Sequence, residues 1–161
     1  VLWDLFATER KMFMSDVVTV SGLIVTPHLW PFRSEGKVHV DECYVDEVET
    51  TKLDGSSGTA MFAETHDFGE NFALATQQES APGYTPTNWI PNVNASALQY
   101  CWGGKTFDSD FRIIIKHLVW GDAFVVGFDE VDGKKVFRDL TPGEEDKVLK
   151  FLLEFETYFV D

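Results

Sequence analysis

The last third of the chain, residues 111–161, restricts the fold most, because strand and helix signals follow one another there in a fixed order. Phe111-Arg-Ile-Ile-Ile-Lys-His-Leu-Val-Trp120 and Asp122-Ala-Phe-Val-Val-Gly-Phe128 are apolar, β-branched runs on either side of Gly121. β-Branched side chains suit a pleated strand and lose rotamer freedom in a helix. The pattern predicts two strands joined by a tight turn at Gly121-Asp122. Asp132-Gly133 predicts a second turn, with a short strand at 135–137 behind it. Helix signals come next. Thr141 is an N-cap type, Pro142 fits the first helical position and Glu144 completes a capping box. Glu145 and Asp146 add negative charge at the positive end of the helix dipole. Apolar residues at 148, 151, 152, 155 and 159 then mark one face of a helix. Such a helix needs a sheet to cover its apolar side.

The rest of the chain supplies strands for that sheet. Residues 2–13 predict an N-terminal helix with an imperfect apolar stripe of Leu2, Leu5, Phe6 and Phe13. Val17–Val25 is a β-branched strand stopped by Thr26-Pro27. Leu29-Trp30-Pro31-Phe32 predicts a turn into a short edge strand, since proline cannot donate to a central ladder. Residues 35–58 read as an acidic arm or hairpin followed by a Gly/Ser loop at 54–58. Residues 59–76 admit a helix broken near Gly69, and 77–100 read as an irregular segment, with a short helix or strand at 94–100. Together these predict a single domain over 1–161 of the α+β class. It has an antiparallel sheet of about five to seven strands, with the N- and C-terminal helices packed on one face.

Composition narrows the partners. With 44% hydrophobic and 25% charged residues the chain has the make-up of a soluble globular domain. A net charge of −14 argues against nucleic acid and against a polybasic membrane contact, since both need Lys and Arg. A basic protein partner fits the charge, although acidity also serves solubility. No apolar run approaches the length of a membrane span. The first residues have no basic region of the signal-peptide kind, and the chain begins without Met, as a piece of a longer one would. Cys43 and Cys101 do not make a disulfide framework, and the Asn94-Ala95-Ser96 sequon matters only in a secreted protein. A cytoplasmic location is expected.

Few residues carry chemistry. His28, His39, His66 and His117 show no i, i+4 pair and no cysteine at metal-ligand spacing, so neither metal nor cofactor is expected. His66-Asp67 with nearby serines is a formal triad candidate without a nucleophile-elbow signature, and Cys101 with His117 a formal nucleophile and base. Gly103-Gly104-Lys105-Thr106 resembles the end of a P-loop, but the position of the leading Gly is Gln99. The chain is therefore read as non-catalytic, with a small hydrolase as the enzyme alternative. The unusual feature is aromatic content: 14 Phe, 5 Trp and 4 Tyr. If the terminal helices lie side by side, Trp3 and Phe6 join Tyr158 and Trp30 in a shallow strip. Such strips dock proline-rich segments in the polyproline II form.

Several motifs in order along the chain resemble those of profilins. These are Trp3-Asp-Leu-Phe6, Gly22-Leu-Ile-Val25 followed by Trp30, Trp102-Gly-Gly-Lys-Thr-Phe107, Phe124-Val-Val-Gly-Phe-Asp-Glu130 and Thr141-Pro-Gly143. Residues 35–91 have no counterpart in the resemblance, and an insertion separates Glu130 from Thr141. The resemblance implies a protein that sequesters actin monomers and docks proline-rich ligands through Trp3, Phe6, Trp30 and Tyr158. Lys116 and His117, on the Ile-rich strand, are the candidates for contact with a protein partner. A second class of reading is a structural subunit or surface domain of a larger cellular or viral assembly.

Overall fold

A computed structural model describes residues 17–39, 44–77, 90–102 and 118–160, the last four by backbone alone. The described strands are β1 (Val17–Val25), β2 (Phe32–His39), β3 (Tyr44–Thr51), β4 (Ser57–Met61), β5 (Glu64–Phe68) and β6 (Phe72–Thr76), followed by β7 (Pro91–Asn92), β8 (Val119–Trp120), β9 (Ala123–Val131) and β10 (Lys134–Arg138). Two helices complete them, α1 (Val93–Cys101) between β7 and β8, and α2 (Pro142–Val160) after β10. The fold is α+β, and every pairing between described strands is antiparallel. The main sheet runs β4-β3-β2-β1-β9-β6-β5, with β10 on the far half of β9, while β7 and β8 form a separate short ladder.

The sheet curls until its two ends meet. The chain leaves β4 at one end of the path and enters β5 at the other after only Phe62 and Ala63. Backbone bonds secure this corner: Phe62 N–H donates to Asp46 O at 3.3 Å and Ala63 N–H to Thr76 O at 2.9 Å. Alternation along the strands then separates two apolar layers. The inner layer holds Val20, Ile24, Val38, Val48, Ala73, Ala75, Phe124 and Val126. Its centre is Phe124, whose ring lies over two strands that are glycine at the point of contact. A Cβ on Gly22 or Gly36 would stand 2.8 Å and 2.9 Å from that ring. The outer layer, with Leu23, Val25, Leu74 and Val125, is covered by α1 through Ala97 and Leu98 and by α2 through Val148, Leu152 and Phe155.

Much of the C-terminal reading holds. The box at the start of α2 closes both ways: Glu144 N–H donates to Thr141 Oγ1 at 3.2 Å, and Thr141 N–H to Glu144 Oε1 at 3.0 Å. Asp132 and Gly133 both take positive φ, as a two-residue hairpin turn requires, and join β9 to β10. Three expectations are corrected. β8 and β9 are not a hairpin: β8 pairs with β7, and β9 is flanked by β6 on one side and by β1 and β10 on the other. β2 is an interior strand, because Pro31 stands just before it rather than within it. The Ala-rich 59–76 stretch forms strands β4, β5 and β6, and its Ala60, Ala73 and Ala75 are buried in the inner layer with Phe62 and Phe124. In the segment 77–100 the short helix or strand expected at 94–100 is the helix α1, preceded by β7, and residues 78–89 lie outside the described residues. The predicted helix at 2–13 lies outside the described residues.

Candidate functional site

At the end of the sheet where Val25 faces Ala123, the inner layer turns polar. Continuing each strand by two residues past its last apolar inner position gives Thr26 after Ile24, Thr50 after Val48, and Asp122 before Phe124. Thr26 is buried, and its Oγ1 accepts Leu29 N–H at 3.0 Å, which fixes the β1–β2 connection that carries His28. Thr50 is 8% exposed. Asp122 is half-buried, and its backbone N–H donates to Gln77 Oε1 at 2.7 Å. Burial pushes the Asp122 carboxyl above the usual carboxylate range, while the charge of His28 and the hydroxyl of Thr50 act in the opposite sense. The Thr50 hydroxyl thus lies beside Asp122 but makes no bond of good geometry. His28 Nε2 and Thr50 Oγ1 are the two buried side-chain polar atoms without a hydrogen-bond partner among the described residues.

A fully satisfied polar network frames this cluster. Asn92 is buried; its Nδ2 donates to Val25 O at 2.7 Å and to Gly121 O at 2.9 Å, and its Oδ1 accepts Ala95 N–H at 3.0 Å as the N-cap of α1. Ser96 Oγ donates to Asn92 O at 2.7 Å and accepts Val119 N–H at 2.8 Å. One side chain therefore ties the end of β1 to the turn that presents Asp122. Charge-free amide pairs of this kind hold geometry without the desolvation cost of an ion pair.

No protein-family model, curated protein or solved structure matches this chain. Its own residues carry the functional argument.

Of the predicted strip, Trp30 is exposed at 42% beside Leu29 at 40%, both on the connection held by Thr26. Tyr158 falls in the last turns of α2, beyond the described side chains, and Trp3 and Phe6 lie outside the described residues, as do Lys116 and His117. A different aromatic row is visible on the helical side. Trp102 lies 5.2 Å from Phe68, 5.3 Å from Phe72 and 5.0 Å from Phe151 between ring centroids, and Phe151 leads on to Phe155 at 6.5 Å. The formal triad does not assemble: His66 Nε2 stands 3.5 Å from Glu64, whereas Asp67 is bound by Lys135 at 2.6 Å. Cys101 is buried against the helical layer, and Cys43 lies outside the described residues. No group of three or more His, Cys, Asp or Glu among the described residues is arranged to hold a metal. No described helix is long and apolar enough to cross a membrane.

An open groove of about 600 Å³ runs beside β2, β3 and β4, lined in part by Arg33, Glu35, Glu49 and Thr50. Arg33 is paired with Glu145 at 2.9 Å, whereas Glu35 and Glu49 have no ion-pair partner among the described residues. Sequence reasoning weighed His28 only as one of four histidines without a metal-ligand spacing and passed over Thr50, Asp122 and Asn92. The one legible signal was Asp122, an ionisable residue inside the run Leu118-Val-Trp-Gly-Asp-Ala-Phe-Val-Val126.

Proposed function

We propose that the protein is a non-catalytic, profilin-like binding module that docks proline-rich segments of partner proteins and contacts actin monomers. The observation that supports peptide docking is the Leu29–Trp30 pair, two large apolar side chains left 40% and 42% exposed on a connection whose backbone is pinned by Thr26. An indole on a pinned connection offers contact area at modest entropic cost, and a polyproline II ligand arrives already extended. The actin reading rests on the order of the sequence motifs alone.

Oligoproline titration followed by tryptophan fluorescence tests the first part. Affinity of about 10–500 μM is expected, or roughly 4.5–7 kcal/mol. Trp30→Ala, at an exposed position, removes about 2 kcal/mol of that binding and leaves the melting temperature close to wild type. No wild-type binding at millimolar peptide ends the proline reading. A pyrenyl-actin polymerisation assay tests the second part, with slower filament growth expected; an unchanged time course removes actin as the partner.

A further inference from the structure

The outer face of β2 and β3 carries a pair of like charges that the fold does not neutralise. The β2–β3 ladder ends where Gly36 faces Val48. One step further along the same register Glu35 stands opposite Glu49, and each shares its face with the residue two positions away, Lys37 and Glu47. The strands stay close at this point, because Ser34 Oγ donates to Glu49 O at 2.6 Å. Like charges directly opposite on neighbouring strands weaken a sheet. The nearby cations are engaged elsewhere: Lys37 pairs with Glu47 at 2.9 Å and Arg33 with Glu145 at 2.9 Å. Lys52 lies with its stem along Gly58, and its charge acts on Asp54 in the β3–β4 turn. Glu35 and Glu49 are left exposed and without an ion-pair partner among the described residues.

These two carboxylates line a groove. Both belong to the open cavity of about 600 Å³ beside β2, β3 and β4, and both also line a recess of about 210 Å³ that reaches Lys37 and Glu47. Together the two cavities follow β2 from Arg33 to Lys37. Thr50 lines the larger one; it is 8% exposed, and its Oγ1 is buried without a hydrogen-bond partner among the described residues. Native folds rarely leave such an atom unpaired. The fitting guest brings positive charge and several N–H donors. A guanidinium has five donors in a fixed plane and no acceptor, enough to span two carboxylates. Calcium suits the place less, since it takes about six to eight oxygen ligands. Nucleic acid, or a second copy of a chain whose net charge is −14, is repelled. A groove that follows a strand fits an extended segment, whose alternate side chains all point one way. Met61, 64% exposed and opposite Glu47 on β4, gives the stem of a basic side chain an apolar surface to lie on.

We propose that this face of β2, β3 and β4 docks an extended, arginine-bearing segment of a partner protein, with a guanidinium held between Glu35 and Glu49. The proposal is independent of the proline-rich reading, which uses Leu29 and Trp30.

The experiment follows the fluorescence anisotropy of a labelled peptide of alternating glycine and arginine, titrated with the full chain at near-physiological salt. Saturable binding is expected. Glu35→Gln and Glu49→Gln should each weaken it roughly tenfold. Their melting temperatures should hold or rise, because each relieves the like-charge pair. Glu130→Gln makes the same change in net charge at an exposed position on β9 and should leave the affinity within about twofold. Equal losses in all three variants would reduce the binding to the overall field of the chain and overturn the proposal. Displacement of the peptide by calcium chloride at matched ionic strength would make the groove a metal site instead. A lysine version of the peptide that binds as tightly would remove the guanidinium from the assignment. No saturable binding by the wild type ends the proposal outright.

Discussion

At the scale of single residues, Gly127 shows how one missing Cβ organises charge. The guanidinium of Arg138 lies directly on Gly127: a Cβ there would meet Arg138 Nη1 in a steric clash and stand 3.0 Å from Cζ. From that position Arg138 reaches Asp129 at 3.0 Å and takes Glu144 in a bidentate pair at 2.6 and 2.9 Å. A planar fork held flat on the backbone needs a bare strand beneath it. Gly127→Ala should displace the Arg138 guanidinium from its carboxylate contacts at a net cost of about 1 kcal/mol, read as a lower urea midpoint at unchanged slope. The inner glycines Gly22 and Gly36 act alike for the Phe124 ring. None of these roles was legible beforehand, because nothing in the run Val125-Val-Gly-Phe128 says which side chain from another strand will lie on the glycine.

At the scale of elements, the start of α2 was the most legible part of the chain and is also where pH acts. The pair with Arg138 holds the Glu144 carboxyl at about 2, well below the usual range. A carboxyl depressed in the folded state contributes stability above its unfolded value and loses it as the pH falls toward the folded one. The window here therefore runs from about pH 4.3 down to about 2. With both side chains partly open to solvent, the loss should be about 1–2 kcal/mol. Glu144→Gln should lower stability at pH 7 and flatten the acid limb of a melting-temperature profile between pH 5 and 2; an unchanged acid limb would show that the pair contributes little. The capping residues Thr141, Pro142 and Glu144 were readable because their partners lie within one helical turn. The 59–76 stretch was not, since its alanines favour helix locally and become strand only when β6 pairs with β9. The same distance in sequence hid the polar end of the inner layer, to which Thr50 and Asp122 come from separate strands. The profilin-like motifs were visible as strings, yet Trp3, Phe6 and both proposed contact residues fall outside the described segments, and Tyr158 is described by backbone alone.

At the scale of the whole molecule, charge and closure dominate. A net charge of −14 on one curled sheet repels itself at low ionic strength. Raising sodium chloride from about 10 mM to about 500 mM shortens the screening length from roughly 30 Å to below 8 Å. The melting temperature should rise by a few degrees across that range; no change would mean that the ion pairs of Arg33, Lys135 and Arg138 already balance the field. Closure has a different effect. The strand that completes the sheet is β9, which joins β1 to β6. Val25 and its partner Ala123 stand roughly a hundred residues apart in sequence. As the chain leaves the ribosome, the β1–β4 and β5–β6 ladders emerge before the strand that joins them, so β1 and β6 each keep an open edge until β9 is synthesised. Until then the open edges are exposed to sticking and to proteolysis, and the sheet closes only once β9 is out.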